Sequence, residues 1–291
     1  MNILDALYLI NVLKRSQTAH KGDCGKVLLV GGAVGMAGAL TLSAKACLYS
    51  GAGWTILMMF DSASAHLMSD QPELMVHDAN TTTAKDAIAS IRPDVIAIGP
   101  GLGQGALAKR WLSACLDWNG PLIIDADALN ILATHADILQ HLRNRIGSTT
   151  LTPHPGEAAR LLSRSVQEVQ LDRNQAIKDL VQMTRCTVVL KGHHTLIHGP
   201  DQEIQTCIQG NPGMAVGGMG DVLTGCIAAL AAQGIKHSLG LWQATCLGVQ
   251  VHASAADVMQ QEGLGPIGMT PSELILNVRK LMNTLLNSCA S

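Results

Sequence analysis

Short hydrophobic runs alternate with longer Ala-rich stretches from Lys26 to about Leu190. Because two parallel strands need a long crossover between them, usually a helix, this alternation indicates successive βα units in a mostly parallel sheet. Several runs are apolar at every position, as expected of strands that helices cover on both faces. The predicted strands are residues 26–30, 54–59, 73–77, 94–98, 121–125, 148–152 and 187–191.

The pattern changes after Lys191. Two β-type runs, residues 194–198 and 203–208, flank a turn of Gly199, Pro200 and Asp201 and predict an antiparallel hairpin at the sheet edge. Apolar residues at helical spacing then predict helices over residues 221–233, 239–260 and 271–286. With neither a linker nor an internal repeat, we expect one α/β domain over residues 1–291, with a mostly parallel central sheet, helices on both faces and an edge hairpin.

Composition excludes several classes of protein. With 47% apolar and 14% charged residues, the chain can build a large core and is not disordered. A formal net charge of -2 argues against a nucleic-acid partner. The start has no basic segment, and no apolar stretch approaches the roughly 18 residues of a membrane span, so we expect a cytoplasmic protein. The eight cysteines lack C-x2-C spacing and are expected to be free thiols.

A glycine-rich loop, GNPGMAVGGMGDVLTG (residues 210–225), leads directly into a hydrophobic helix. Gly217, Gly218 and Gly220 let the backbone turn its N–H groups toward one point, and the helix N-terminus adds about half a positive charge. The loop therefore predicts a phosphate site. Asp221 would stay ionised beside the helix dipole and could accept a proton from an attacking hydroxyl. The alternative is that Asp221 only caps the helix.

Two more glycine-rich turns follow predicted strands. GGAVGMAG (residues 31–38) has the spacing G-x-x-G-x-x-G, with Asp61 after the next strand, and matches a dinucleotide-binding fingerprint poorly, so a dehydrogenase is a minor alternative. GPGLG (residues 99–103) follows the fourth strand at the carboxyl edge, where parallel sheets bind ligands. A tight turn explains GPGLG equally well.

Polar residues follow the next two strands at the same edge. Asp125 and Asp127 in DADALN are candidates for Mg²⁺ contacts through water, with helix capping as an equal alternative. His154 lies between two prolines in TPHPGE, in a stiff loop that suits substrate contact, although it could instead cap the next helix. Glu157 is expected in the first turn of that helix.

The segment KGHHT (residues 191–195) ends the last parallel strand. Lys191 should therefore lie near the other loops, although a lysine at a strand end is more often only surface charge. His193 and His194 invite a metal interpretation. Adjacent side chains of an extended chain point to opposite faces, so we do not expect them to bind one metal together.

The motifs GGAVGMAGA, GPGLG, DADALN, TPHPGE, KGHHT, GNPGMAVGGMGD and GPIGMTPSEL, in this order over nearly the whole chain, resemble those of the ADP- or ATP-dependent NAD(P)H-hydrate dehydratases of the ribokinase-like superfamily. The resemblance implies a ribokinase-like fold and dehydration of the S epimer of hydrated NADH or NADPH, with ADP (or ATP) as co-substrate and Mg²⁺ as cofactor. It favours ADP as the donor. It also implies a homo-oligomer, with a tetramer as the candidate, and an epimerase on a separate protein.

The same resemblance assigns residues to roles. Those implied to bind the hydrate are Ala39, Gly101, Gly103, His154 and Asp221, with Asp221 as the catalytic base. Those implied to bind the nucleotide are Lys191, Gly192, His193, His194, Thr195 and Gly220. Those expected to form an anion hole for the phosphoryl group with their amides are Gly217, Gly218, Met219 and Gly220.

One position departs from the family pattern. Val216 stands where relatives usually carry Thr or Ser, so a hydroxyl donor beside the glycine pair is absent; either phosphoryl transfer is slower or a water replaces the hydroxyl. Two alternatives remain open at this point. One is a small-molecule kinase of the same superfamily that releases its phosphate ester, and the other is a nucleotide sensor without turnover.

Overall fold

The computed structural model describes residues 3–66 and 71–288. Its strands are β1 Lys26–Gly31, β2 Trp54–Met59, β3 Met75–Asp78, β4 Val95–Ile98, β5 Leu122–Ile124, β6 Thr149–Leu151, β7 Thr187–Leu190, β8 Thr195–His198 and β9 Gln205–Cys207. Its α-helices are α1 Ile3–Val12, α2 Ala37–Tyr49, α3 Ser62–His66, α4 Ala84–Ile91, α5 Ala106–Asp117, α6 Ala126–Thr134, α7 Ala136–Arg143, α8 Pro155–Leu162, α9 Val166–Leu171, α10 Arg173–Thr184, α11 Met219–Ile235, α12 Leu241–Gln261 and α13 Pro271–Ser288.

The strands form one sheet in the order β3-β2-β1-β4-β5-β6-β7-β8-β9. Strands β1 to β7 run parallel, whereas β8 is antiparallel to β7 and β9 is antiparallel to β8. The predicted α/β class and edge hairpin are therefore confirmed. The chain runs outward from β1 to β3 and then resumes at β4 on the other side of β1. Open parallel sheets bind ligands beyond the carboxyl ends of the strands at such a switch point.

Helices cover both faces of the sheet, as the apolar strands predict. Along β1, Val27 and Leu29 face one hydrophobic cluster, while Leu28 and Val30 face the other. This alternation follows from the two-residue repeat of a strand. Residues of α1, α2, α11, α12 and α13 build the first cluster, and residues of α4 to α10 build the second. The sheet is thus the middle of three layers.

Element boundaries differ from the prediction by one or two residues at many ends, and two of these differences are informative. The third strand begins at Met75 instead of Glu73, because residues 72–74 form a turn. Asp125 does not end β5 but stands at the N-cap of α6. The single domain over residues 1–291 stays a prediction.

The described residues bear on two expectations from composition, namely free thiols and no membrane-spanning segment. Every cysteine among them is a free, buried thiol, and Cys289 lies outside the described ranges. In the same part of the chain, we find no helix with the length and apolar character needed to span a membrane.

Candidate active site

The first turn of α11 is held in place from two neighbouring helices. Gly218 occupies its N-cap with a φ of 97°, a conformation that favours glycine. The Ser43 hydroxyl of α2 donates to the Asp221 carbonyl at 2.7 Å. The His252 Nε2 of α12 lies 3.0 Å from the Met219 carbonyl. Burial lowers the pKa of His252 to about 4, so the neutral ring is the donor in this bond.

Asp221 is the third residue of α11, so the interpretation that it occupies the N-cap is wrong. Among the described residues, no hydrogen bond holds its carboxyl group, which leaves the oxygens available to a ligand. A side chain at Gly217 would meet no neighbour within 4 Å, so the backbone just before the helix borders open space. The backbone at the start of this helix therefore borders a region that a phosphoryl group can enter.

Lys191, whose side chain is 19% exposed, joins acidic groups that follow two other strands to the start of α11. The Lys191 Nζ lies 2.9 Å from Asp125 Oδ1 and 4.0 Å from Glu157 Oε2, and the two carboxylate side chains are only 1% and 5% exposed. A Cβ placed on Gly220 would be 3.2 Å from the same Nζ. The interpretation of Lys191 as surface charge is therefore wrong, because its ammonium is enclosed by acidic groups next to the helix start.

Burial and the charges of these groups shift the pKa values of Asp221, Glu157 and Lys191. The pKa of Asp221 is raised from 3.8 to about 7, chiefly by burial and then by the negative charge of Asp125; Lys191 opposes the rise and Glu157 adds a smaller increase. This differs from the expectation of a carboxylate that stays ionised, because loss of hydration and like charges outweigh the favourable helix end. Burial also raises the pKa of Glu157 to about 7, opposed by Lys191. Burial lowers the pKa of Lys191, but Asp125 and Glu157 outweigh that effect and keep it above its usual range.

The two glycine-rich turns pack against each other at the switch point. Gly32 N donates to the Pro100 carbonyl at 3.0 Å, and Ala33 N donates to the Gly101 carbonyl at 2.6 Å. Gly101 has a φ of 58° and Gly103 a φ of 69°, so GPGLG is a tight turn, as its alternative interpretation held. Gly103 N donates to Asp127 Oδ2 at 2.9 Å, which ties the turn to the first turn of α6.

His154 caps α8 and still presents a donor. Its Nδ1 accepts from Gly156 N at 2.9 Å and from Glu157 N at 3.4 Å, so the proton of the neutral ring is on Nε2. Burial and, next, Lys191 lower the pKa of His154, which favours that neutral form. The side chain is 49% exposed. The backbone capping contacts use Nδ1, whereas a substrate would share Nε2 with Glu157, whose Oε1 lies 3.4 Å from it.

The comparisons with known proteins point to one family. The family model described as NAD(P)H-hydrate dehydratase matches residues 27–280. The ADP-dependent (S)-NAD(P)H-hydrate dehydratase of Neisseria meningitidis is 38% identical over 97% of this chain and 94% of that protein. This chain belongs to the NAD(P)H-hydrate dehydratase family. The bifunctional NAD(P)H-hydrate repair enzyme Nnr of Escherichia coli is 39% identical over 92% of this chain and 50% of that protein, so the chain spans about half its length.

A solved structure agrees with this assignment. The ADP/ATP-dependent NAD(P)H-hydrate dehydratase of Bacillus subtilis, co-crystallised with ATP and Mg²⁺, superposes with a TM-score of 0.81 at 28% identity. The superposition covers 94% of each chain. The ribokinase-like fold that the sequence resemblance implied is thereby confirmed.

Residues 191–195, which are expected to bind the nucleotide, begin beside the glycine-rich loop that leads to Asp221. Gly192 has a φ of 138° and His194 a φ of 54°, so the chain bends here. The imidazoles of His193 and His194 consequently stack with centroids 3.9 Å apart, and the expectation that they point to opposite faces is wrong. The Thr195 hydroxyl donates to the Gly192 carbonyl at 3.0 Å and stabilises the bend.

The remaining predicted hydrate residue lies on α2. Ala39 is half-buried in the first turn of this helix, and its N–H donates to the Met36 carbonyl. A Cβ on Gly218 would come within 2.7 Å of Leu42 on the same helix. The N-terminal half of α2 and the start of α11 are therefore close neighbours in this dehydratase-family fold.

A direct metal site does not form from the predicted aspartates. Lys191 and Thr224 occupy the two oxygens of Asp125. Asp127 Oδ2 accepts from Gly103 N, and no cluster of three or more metal-binding side chains occurs in residues 3–66 and 71–288. Contacts through water to Asp125 or Asp127 stay a prediction.

Sequence reasoning missed three contributors to this family's site. Glu157 was assigned only to a helix start, but it is buried beside Lys191. Thr224 donates to Asp125 Oδ2 at 2.8 Å, and Arg173 donates to the Leu190 carbonyl at 3.0 Å, where it anchors the strand end. The sequence did carry a signal for Thr224. It stands three residues after Asp221 in the predicted helix, and residues three apart lie on the same face of a helix.

One sizeable cavity lies away from this chemistry. It has about 580 Å³ and is lined by residues that include Arg15, Tyr49 and Arg279, next to the loop between α2 and β2. None of the predicted site residues lines it. The titratable groups and the helix start identify the candidate site, because the volume of a cavity does not reveal which chemistry its lining can perform.

Proposed function

We propose that this chain is an ADP-dependent (S)-NAD(P)H-hydrate dehydratase, which converts the S epimer of hydrated NADH or NADPH to NADH or NADPH. One observation carries the proposal. The Asp221 carboxyl group, with a pKa near 7, stands unbonded among described residues at a glycine-flanked helix start beside the Lys191 ammonium. The name of the Neisseria relative supports the choice of ADP and of the S epimer.

The proposed chemistry makes a poor leaving group into a good one. Asp221 accepts the proton of the hydrate hydroxyl while that oxygen attacks the terminal phosphorus of ADP and AMP leaves. The lone pair of the ring nitrogen then expels phosphate, and loss of a ring proton restores the dihydronicotinamide. The balance is hydrate plus ADP to NAD(P)H, AMP, phosphate and one proton.

The residues divide between two ligands. We propose that the hydrate contacts Ala39, Gly101, Gly103, His154 and Asp221, with His154, whose side chain is half exposed, donating from Nε2. We propose that the nucleotide contacts residues 191–195 and Gly220, where the Lys191 ammonium lies against the helix start. The anion hole would use the amides of residues 217–220, which a helix N-terminus orients outward.

Mg²⁺ would neutralise charge on the nucleotide phosphates when bound. The engaged oxygens of Asp125 do not suit direct ligation, so Asp125 or Asp127 would hold it through water. An epimerase on a separate protein and a homo-oligomer, with a tetramer as the candidate, stay proposals.

The test supplies hydrated NADH with ADP and follows the absorbance of the dihydronicotinamide ring. We expect NADH, AMP and phosphate in equal amounts, and no product with Asp221→Asn, although that variant still binds ADP. A stable phosphate ester without NADH would support the kinase alternative instead. Equal inactivity of wild type and variant on every hydroxyl substrate would support the sensor alternative.

A further inference from the structure

A chain of three side chains, two of them fully buried, links α11 to the candidate nucleotide site. The Thr224 hydroxyl donates to Asp125 Oδ2 at 2.8 Å, and the other oxygen of Asp125 accepts from Lys191 Nζ at 2.9 Å. Thr224 is fully buried and Asp125 is 1% exposed. Because an ionised carboxylate only accepts hydrogen bonds, the hydroxyl must be the donor. Thr224 therefore fixes which way the Asp125 carboxylate faces.

The position of Thr224 couples this contact to the reacting groups. It lies one helical turn after Gly220 and three residues after Asp221. A Cβ on Gly220 would be 3.2 Å from Lys191 Nζ and 4.0 Å from Asp125 Oδ2. The ammonium thus sits between the helix start and the carboxylate that Thr224 orients. A rotation of that carboxylate would move the ammonium relative to the helix start.

We propose that Thr224 is a positioning residue that, through Asp125, holds the Lys191 ammonium where the phosphates of the nucleotide bind. This inference rests on the proposed function and adds to it a residue that touches neither substrate. Without the hydroxyl, one oxygen of the buried Asp125 carboxylate loses its partner, and the carboxylate turns to regain one. The ammonium then loses its fixed direction toward the phosphates.

The test is a double-mutant cycle with four proteins: wild type, Thr224→Val, Lys191→Met and the double variant. Each is measured for kcat and KM with hydrated NADH, and for ADP affinity by calorimetry with Mg²⁺ present. Thr224→Ser restores the hydroxyl and should stay within about twofold of wild type. Thr245→Val is the matched control, since Thr245 is fully buried on the neighbouring α12 and contacts Thr150 instead.

We expect Thr224→Val to lower kcat and ADP affinity by about tenfold, with little change in KM for the hydrate, and Thr245→Val to change neither. In the Lys191→Met background, Thr224→Val should have no further effect, because the group it positions is gone. Thr224→Ala replaces the valine variant if that protein does not fold.

Two results would overturn the inference. One is an equal loss in both backgrounds, which would mean that Thr224 acts independently of Lys191. The other is unchanged kcat and ADP affinity in Thr224→Val. If wild type shows no dehydration, the proposed function fails, and the ADP affinities of the same four proteins still decide whether Thr224 positions Lys191.

Discussion

Replacing Asp221 by Asn should make the protein more stable above neutral pH while removing its activity. The carboxyl group titrates at about 7 in the folded protein, against 3.8 for the ordinary group. The folded protein binds this proton more tightly than the unfolded chain does, and the proton therefore stabilises the fold. This contribution to the free energy of unfolding is fully present below pH 3.8 and is lost as the pH rises through 7. Asn carries no such cost, because it stays neutral at every pH.

The magnitude follows from the pKa difference. About three pKa units at about 1.4 kcal/mol each correspond to about 4 kcal/mol at high pH. Less than half of this is already lost by pH 5, which leaves about 2 to 3 kcal/mol between pH 5 and pH 8. Since the side chain keeps some contact with solvent, the measured gain of Asp221→Asn should not exceed this range.

Urea unfolding followed by tryptophan fluorescence at about pH 5 and pH 8 measures this difference. We expect the free energy of unfolding of Asp221→Asn, relative to wild type, to grow by about 2 kcal/mol over that range. Asp137→Asn, at an exposed position on α7, controls for the loss of one negative charge. A constant difference between Asp221→Asn and wild type would show that the carboxylate is well hydrated in the folded protein, and our account of its poised pKa would be wrong.

Three further predictions concern the reaction. The kcat/KM for the hydrate should rise with pH up to about 7 and then level off, because Asp221 must be ionised to accept the proton; a profile that falls across this range would exclude it as the base. Gly220→Ala should weaken ADP binding by about tenfold in calorimetry, since its Cβ would stand 3.2 Å from Lys191 Nζ; unchanged affinity would place the nucleotide elsewhere. Val216→Thr should raise kcat severalfold without changing the thermal midpoint, because it adds a hydroxyl at a position that is 45% exposed; a lower kcat would contradict this role.

The sequence by itself determined which segments carry chemistry. Apolar runs separated by helical stretches predict a parallel sheet, and the carboxyl ends of parallel strands share one edge. For that reason GPGLG, DADALN, TPHPGE and KGHHT could be assigned to the same edge before their strands were ordered. The glycine pair before Asp221 likewise predicts a helix start open to an anion, because this depends on local backbone freedom.

Only the tertiary structure decided how those segments act on one another. Thr224 and Asp125 are 99 residues apart, and Lys191 and Asp125 are 66 apart, so no local pattern could pair them. The pKa of Asp221 depends on burial and on Asp125, which the helix dipole alone does not reveal. Spacing along a chain fixes which face a residue can occupy, but charge balance and hydration depend on which strands become neighbours.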